Sequence, residues 1–269
     1  MGDEFFAGID QVELKVDGGQ ARFPIFYREA RMFALLLPAN LLALRRLMPD
    51  ARFAPAQVLP GVGALYLAAF EYSDTDIAPY NEFAIGAVLN TPYFADFFDV
   101  YIHHLPVTTE IALRAGRDFY NYPKFIGGIE FSDTDDTITC DLSREGSHIM
   151  TIATGKVPGA AMGEMKMFCN LYQYRQPQRA EFKLNVLEGS MRWLPNDVSW
   201  SFSRGSDIGR ELSGVVVGNR AIASLYMPKI QAILYGPEYI PIPLMQRTVT
   251  SPGFMPKPAK KPAAKKTKS

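Results

Sequence analysis

The chain has 269 residues, of which 48% are hydrophobic and 21% charged, enough for a sizeable folded core and unlike a disordered or fibrous polymer. Its formal net charge is zero, yet six lysines and no acids lie between Lys257 and Ser269. The remaining body holds 22 basic against 28 acidic residues, a balance that argues against binding nucleic acid through the folded surface.

The start, Met1-Gly2-Asp3-Glu4-Phe5-Phe6, is acidic and lacks the basic and apolar regions of a secretory leader. With only Cys140 and Cys169 in the chain, a reducing, cytoplasmic setting is expected. Val12, Leu14 and Val16 alternate with Glu13 and Lys15 ahead of a Gly18-Gly19 turn, the period-two pattern of a strand. The apolar stretch from Met32 to Leu44 is broken by Pro38 and Asn40, so no segment is expected to span a bilayer. Asn40 can cap a short helix that runs to Met48 and stops at Pro49. Thr108 or Thr109 can cap a second through Glu110–Phe119, ahead of Tyr122-Pro123. Turn clusters at Ser132–Asp136 and Arg144–Ser147 bracket a strand over Thr137–Leu142 and predict a meander. Phe182, Leu184 and Val186 alternate with polar residues, as do Val198, Trp200 and Phe202. A third helix is placed around Asp207–Leu212. The fold class expected is mainly β: an antiparallel barrel or packed sheets with a few short helices. Residues 1–251 read as one β domain. Residues 252–269, dominated by Pro, Ala and Lys, read as a disordered tail able to contact anionic surfaces.

Cofactor signatures are absent. The sequence has no P-loop, no Gly-x-Gly-x-x-Gly after a strand and no Gly-x-Ser-x-Gly elbow, so no cofactor is expected. His103 and His104 are adjacent and should point to opposite faces of a strand, while His148 sits beside a turn. No metal site is expected from them. Cys140 and Cys169 fall on the apolar phase of their strands, where thiols are buried and inert.

One lysine is oddly placed. Lys124 lies in Tyr120-Asn121-Tyr122-Pro123-Lys124-Phe125-Ile126, just after a helix and among aromatic neighbours, with Pro123 stiffening the approach. Desolvation there would lower its pKa and favour the neutral amine that attacks a ketone. A lysine that buries its stem and keeps its head in water has the same local sequence.

The stretch from Gly116-Arg117-Asp118 through Tyr122-Pro123-Lys124 resembles the segment carrying the Schiff-base lysine of the acetoacetate decarboxylase family. Tyr80-Asn81-Glu82-Phe83 is similar to the segment that supplies that family's active-site glutamate. Tyr27-Arg28-Glu29-Ala30-Arg31, followed by Leu44–Pro49, resembles its N-terminal arginine segment and helix. The likeness is strongest over about residues 80–128 and weaker over about 20–240. It implies a cone-like antiparallel barrel with an apolar cavity, assembled into homo-oligomers. Lys124 would be the nucleophile and Glu82 an acid/base. Arg28 or Arg31 would steer a substrate carboxylate, and Tyr122 and Phe125 would line the substrate pocket. The small-molecule partner implied is a keto acid.

Two positions depart from the family pattern. Phe125 stands where the decarboxylases carry a second lysine that helps depress the first one's pKa, so desolvation alone would act on Lys124. A further family glutamate aligns near Tyr66-Leu67, which has no carboxylate. The chemistry implied is decarboxylation of a β-keto acid through an iminium on Lys124. An aldolase–dehydratase acting on a 2-keto acid, a non-catalytic binder of small molecules, and a membrane-surface protein acting through its tail are the alternatives.

Overall fold

The computed structural model describes residues 4–17, 19–90, 97–173 and 176–239; the Pro/Ala/Lys-rich tail and Gly18 lie outside them. A short 3-10 turn (Glu4–Phe6) precedes β1 (Val12–Val16) and β2 (Gly19–Phe23), which form a separate hairpin. Next come β3 (Ile25–Asn40), helix α1 (Leu41–Leu47), β4 (Gln57–Leu59), β5 (Val62–Thr75), β6 (Tyr80–Val88) and β7 (Phe97–His104). Helix α2 (Glu110–Tyr120) leads to β8 (Gly128–Asp133), β9 (Thr137–Arg144), β10 (Ser147–Gly155), β11 (Gly163–Gln173) and β12 (Gln176–Trp193). Strand β13 (Val198–Phe202), helix α3 (Asp207–Val215), β14 (Ala223–Leu234) and β15 (Glu238–Tyr239) complete the described chain.

Seven strands in the order β11-β7-β6-β5-β3-β14-β12 close on themselves, because β12 also pairs with β11. All neighbours in the ring are antiparallel except β7 and β11. Closure removes the free edges that an open sheet would expose. A second, four-stranded sheet in the order β13-β10-β9-β8 packs on the outside of the barrel with α1 and α3. Barrel and packed sheet are thus both present, with the few short helices expected.

The strands shared by the two layers are apolar on both faces. Met32, Ala34 and Leu36 of β3, with Tyr66, Ala68 and Phe70 of β5, point into the barrel. Phe33, Leu35 and Leu37, with Leu65, Leu67 and Ala69, point out into the core under the second sheet. Each large side chain buried in this way contributes about 1.5–3 kcal/mol. The outer strands behave as their alternation predicts, with Ile138, Cys140 and Leu142 of β9 buried beneath polar neighbours. Helix starts follow local chemistry: the side chains of Asn40, Thr109 and Ser206 accept from the N–H groups of Ala43, Ala112 and Gly209.

The histidine expectation is corrected. Ile85 pairs with His104 but Gly86 pairs with Ile102, so His103 is an extra residue in β7. This β-bulge turns two adjacent side chains to one face. The imidazole rings lie 4.3 Å apart, and both meet Glu211 of α3. The His103 Nε2–Glu211 Oε1 distance is 2.9 Å. Hydrogen bonding from His103, then from His104, holds the Glu211 carboxyl down at about 2 against an ordinary 4.5.

A carboxyl depressed in the folded state stabilises fully above its ordinary value, and that contribution is lost as pH falls toward the folded value. Glu211→Gln should lower the melting temperature near pH 6 by up to about 3 °C, because the group is half exposed. Thermal scans should show the gap to the parent closing as pH falls from 4.5 toward 2. A gap independent of pH would assign the effect to lost packing.

Candidate active site

The last turn of α2 and the segment after it place Lys124. Asn121 caps the helix in the left-handed region (φ 59°), and its N–H reaches the carbonyls of Arg117 and Gly116. Asparagine tolerates that conformation better than most residues. The reversal turns Tyr122-Pro123-Lys124 back along the barrel. Leu105 N–H donates to Pro123 O at 3.3 Å and Val107 N–H to Phe125 O at 2.9 Å, while Arg117 Nε grips Lys124 O at 2.8 Å. Lys124 is therefore held in backbone contact on both sides.

Its head group ends inside the barrel, where Lys124 is 4% exposed. Strand alternation puts Tyr80, Glu82 and Ala84 of β6 on the same inner face. Lys124 Nζ donates to Glu82 Oε2 at 2.7 Å across 42 residues of sequence. The Tyr80 and Tyr122 rings stand 5.4 and 5.8 Å from the amine, close enough for their faces to favour a cation. Tyr72 Oη reaches toward Glu82 Oε1 at 3.5 Å, and the hydroxyls of Tyr27 and Tyr80 meet at 3.1 Å. Burial pushes all four phenols up, and the Glu82 charge adds to the effect. They stay neutral and available as donors.

Gly116 makes room for the lysine. A Cβ at this position would meet Lys124 Cδ and Cε at 2.4 Å and Nζ at 3.0 Å. The glycine of the Gly116-Arg117-Asp118 segment thus keeps the helix surface open where the lysine side chain passes.

The free space at the amine is about 30 Å³, roughly the share of one liquid water. Phe70 and Met167 separate it from a cavity of about 460 Å³ and border both. The larger cavity is lined mainly by apolar side chains, including Met32, Tyr66 and Met227.

Of the residues singled out from sequence, the structure brings together Lys124, Glu82 and Tyr122. Arg28 and Arg31 do not reach the chamber, which corrects the expectation that either would steer a carboxylate there. A register shift in β3 around Glu29 leaves Tyr27 and Ala30 inside, so Arg28 and Arg31 face outward. Arg28 pairs with Asp76 at 2.8 Å, and Arg31 pairs with Glu71 and, at 2.9 Å, with Asp133. Phe125 is corrected too. In an extended segment it points opposite to Lys124, against the outer core, with its ring 4.8 Å from the Arg144 guanidinium. The desolvation around Lys124 comes instead from Tyr27, Phe70, Tyr72, Ile102, Leu105 and Phe182. Tyr66, at the position lacking the family carboxylate, lines the larger cavity.

Sequence reasoning missed Tyr27 and Tyr72, for which no local motif speaks. Cys169 is buried as expected, and burial pushes its thiol up to about 12, yet it also lines the lysine chamber. Among the described residues, His103, His104 and Glu211 are the one group whose metal-type donor atoms lie within 4.8 Å of one another. The bulge removes the ground on which the sequence set these histidines aside. The Glu211 carboxylate already accepts a hydrogen bond from His103.

Comparisons with known proteins bear on the family and the fold. The family profile described as acetoacetate decarboxylase (ADC) matches residues 16–181, more than half of the chain. No curated protein matches it. Among solved structures, an acetoacetate decarboxylase from Legionella pneumophila is similar with TM-score 0.61 and 12% identity, covering 89% of this chain and 94% of that one. A second acetoacetate decarboxylase is similar with TM-score 0.59 and 16% identity, covering 81% and 89%. The enduracididine biosynthesis enzyme MppR, solved in complex with pyruvate, is similar with TM-score 0.56 and 12% identity, covering 80% and 89%. At such identities these structures speak for the fold. With a family match over most of its length and a closed barrel around a buried lysine, the chain belongs to the acetoacetate decarboxylase family.

Proposed function

We propose that this protein is a cofactor-free Schiff-base lyase that decarboxylates a β-keto acid on Lys124. The observation that carries the reading is a lysine amine buried inside a barrel and hydrogen-bonded at 2.7 Å to an equally buried glutamate. Burying two charges costs several kcal/mol per ion even when they are paired. An amine and a carboxylate buried together in a cavity, where stability alone would not place them, are the pattern of a chemical site.

The steps follow from that geometry. Transfer of a proton from Lys124 to Glu82 leaves a neutral amine, which adds to the substrate ketone. Glu82 returns the proton to the carbinolamine oxygen, and water departs to give the iminium. The bond between the α-carbon and the carboxylate then breaks. CO₂ leaves, and the electron pair moves into the iminium to form an enamine. Protonation of the enamine carbon and hydrolysis of the resulting iminium release a ketone and free the amine. An apolar chamber assists the bond-breaking step, because a carboxylate stripped of water loses little when its charge disperses.

The aldolase–dehydratase alternative shares the iminium. It retains a 2-keto acid carboxylate throughout, which calls for a fixed cation. Among the described residues that line the lysine chamber there is no arginine, and this favours decarboxylation.

Borohydride reduction with a panel of keto acids, read by intact mass, tests the reading. The parent should gain a reduced adduct with β-keto acids, and Lys124→Met should gain none. Removing one partner of a buried pair can cost about 3–5 kcal/mol, so the Lys124→Met/Glu82→Gln double variant serves as a folded control without the pair. An adduct that persists in Lys124→Met, or no adduct with any keto acid, overturns the assignment. Glu82→Gln, assayed at a temperature where circular dichroism shows it folded, should cut turnover by about 10²–10⁴-fold.

Gly116→Ala probes the same chemistry from a residue that touches no substrate. Alanine is the better helix former by about 1 kcal/mol, but its methyl collides with the lysine stem. Trapping should slow at least tenfold while circular dichroism stays native and the melting temperature moves by only a few degrees. Unchanged trapping would show that the lysine adopts another productive rotamer.

A further inference from the structure

The lysine chamber is too small for a keto acid. Its roughly 30 Å³ holds about one water, whereas the cavity beyond Phe70 and Met167 holds about 460 Å³. The two spaces meet at those side chains, so a ligand bound at Lys124 extends into the larger one.

The lining of the larger cavity is specific in character. Six of the eleven methionines in the chain border it: Met32, Met162, Met165, Met167, Met191 and Met227. They come from strands β3, β11, β12 and β14 and the residue before β11, so their meeting here is a property of the barrel. Unbranched thioethers adapt to a flexible apolar ligand better than branched side chains do. The charged lining residues, Glu164 and Lys166, pair with Lys183 at 2.8 Å and Glu181 at 3.1 Å. Both are about half exposed and alternate along the strand with the inward-facing Met165 and Met167, so their charges lie on the outer face of the barrel. Met162 and Met191 are 41% and 39% exposed, and they mark an opening to solvent on the side away from Lys124.

We infer that this cavity is the subsite for an unbranched apolar chain. The substrate class is then a β-keto acid whose reactive end lies at Lys124 and whose chain runs past Phe70 and Met167 among the methionines. At about 30 Å³ for each small group, by analogy with liquid water, the space of about 460 Å³ has room for a chain of up to about fifteen carbons. The inference rests on the Schiff-base reading for the reactive end and on the cavity alone for the chain.

Two measurements separate these supports. The first is calorimetric binding of a methyl ketone series, from acetone to 2-heptadecanone, to the Lys124→Met/Glu82→Gln double variant, which can form no Schiff base and leaves no unpaired buried charge. Each added methylene should raise affinity about fourfold until the cavity is full, with a plateau at about fifteen carbons. Met165→Trp, at a half-buried lining position, should move the plateau to shorter chains. Met191→Lys, at the mouth, should weaken long ketones only and guards against misfolding of the tryptophan variant. The second is borohydride trapping of the parent with β-keto acids of four to fourteen carbons, where the rate at low concentration should rise with length.

Length-dependent binding to the double variant without any adduct in the parent would uphold the chain subsite and overturn the Schiff-base reading. Adducts whose rates ignore chain length, together with flat binding to the double variant, would overturn the subsite and leave the Schiff-base reading standing.

Discussion

The site is organised around a buried ion pair. Lys124 and Glu82 face each other inside a closed barrel, and leaving either charge there without the other would cost about 3–5 kcal/mol. The glutamate arrives by simple strand alternation on β6. The lysine needs a helix that ends at one residue, a left-handed cap at Asn121, a grip from Arg117 on its carbonyl and a missing side chain at Gly116. Such a pair adds little to stability and is weak evidence for it. Its effect is to hold one amine in one place, with its proton partner already in position.

Around that pair the barrel interior is divided into unlike regions. Close to the amine the wall is phenolic: Tyr27, Tyr72, Tyr80 and Tyr122 supply hydroxyls that burial keeps neutral. Farther out it is thioether and aliphatic. No guanidinium enters either wall among the described residues. The arginines that sequence reasoning placed there are spent on carboxylates outside the barrel. Polarity is therefore graded along one axis, with phenols clustered at the reacting end and Tyr66 set among mainly apolar side chains farther out.

How much of this could be read from the sequence depended on how many faces of a strand are wet. Strands with one solvated face, such as Thr137–Arg144 and Val198–Phe202, showed their alternation openly. Strands β3 and β5 are covered on both sides, so Phe33–Leu37 and Ala64–Phe70 read as unbroken apolar runs with no period to count. Caps at Asn40 and Thr109 were legible because they act within three residues. Bulges were not. The shift near Glu29 sends Arg28 and Arg31 outward, and the extra residue at His103 brings two imidazoles to one side; neither leaves a mark in composition. Phe125 was misplaced for a simpler reason, since neighbours in an extended segment face opposite ways. The Lys124 and Glu82 motifs were visible, but the methionine wall draws on four strands and becomes a unit only when the barrel closes.

The central strand has a consequence for how the protein is made. On one side β3 pairs with β5, which follows soon after it in the chain. On the other it pairs with β14, where Leu36 meets Ala223, 187 residues later. During synthesis that second edge stays open until almost the whole described chain has left the ribosome. It carries apolar side chains on both faces, the kind of unpaired edge that recruits strands from other molecules. Pairings so distant in sequence also form slowly. The late arrival of β14 therefore bears on how much of the newly made chain closes its barrel before a neighbouring copy takes that edge.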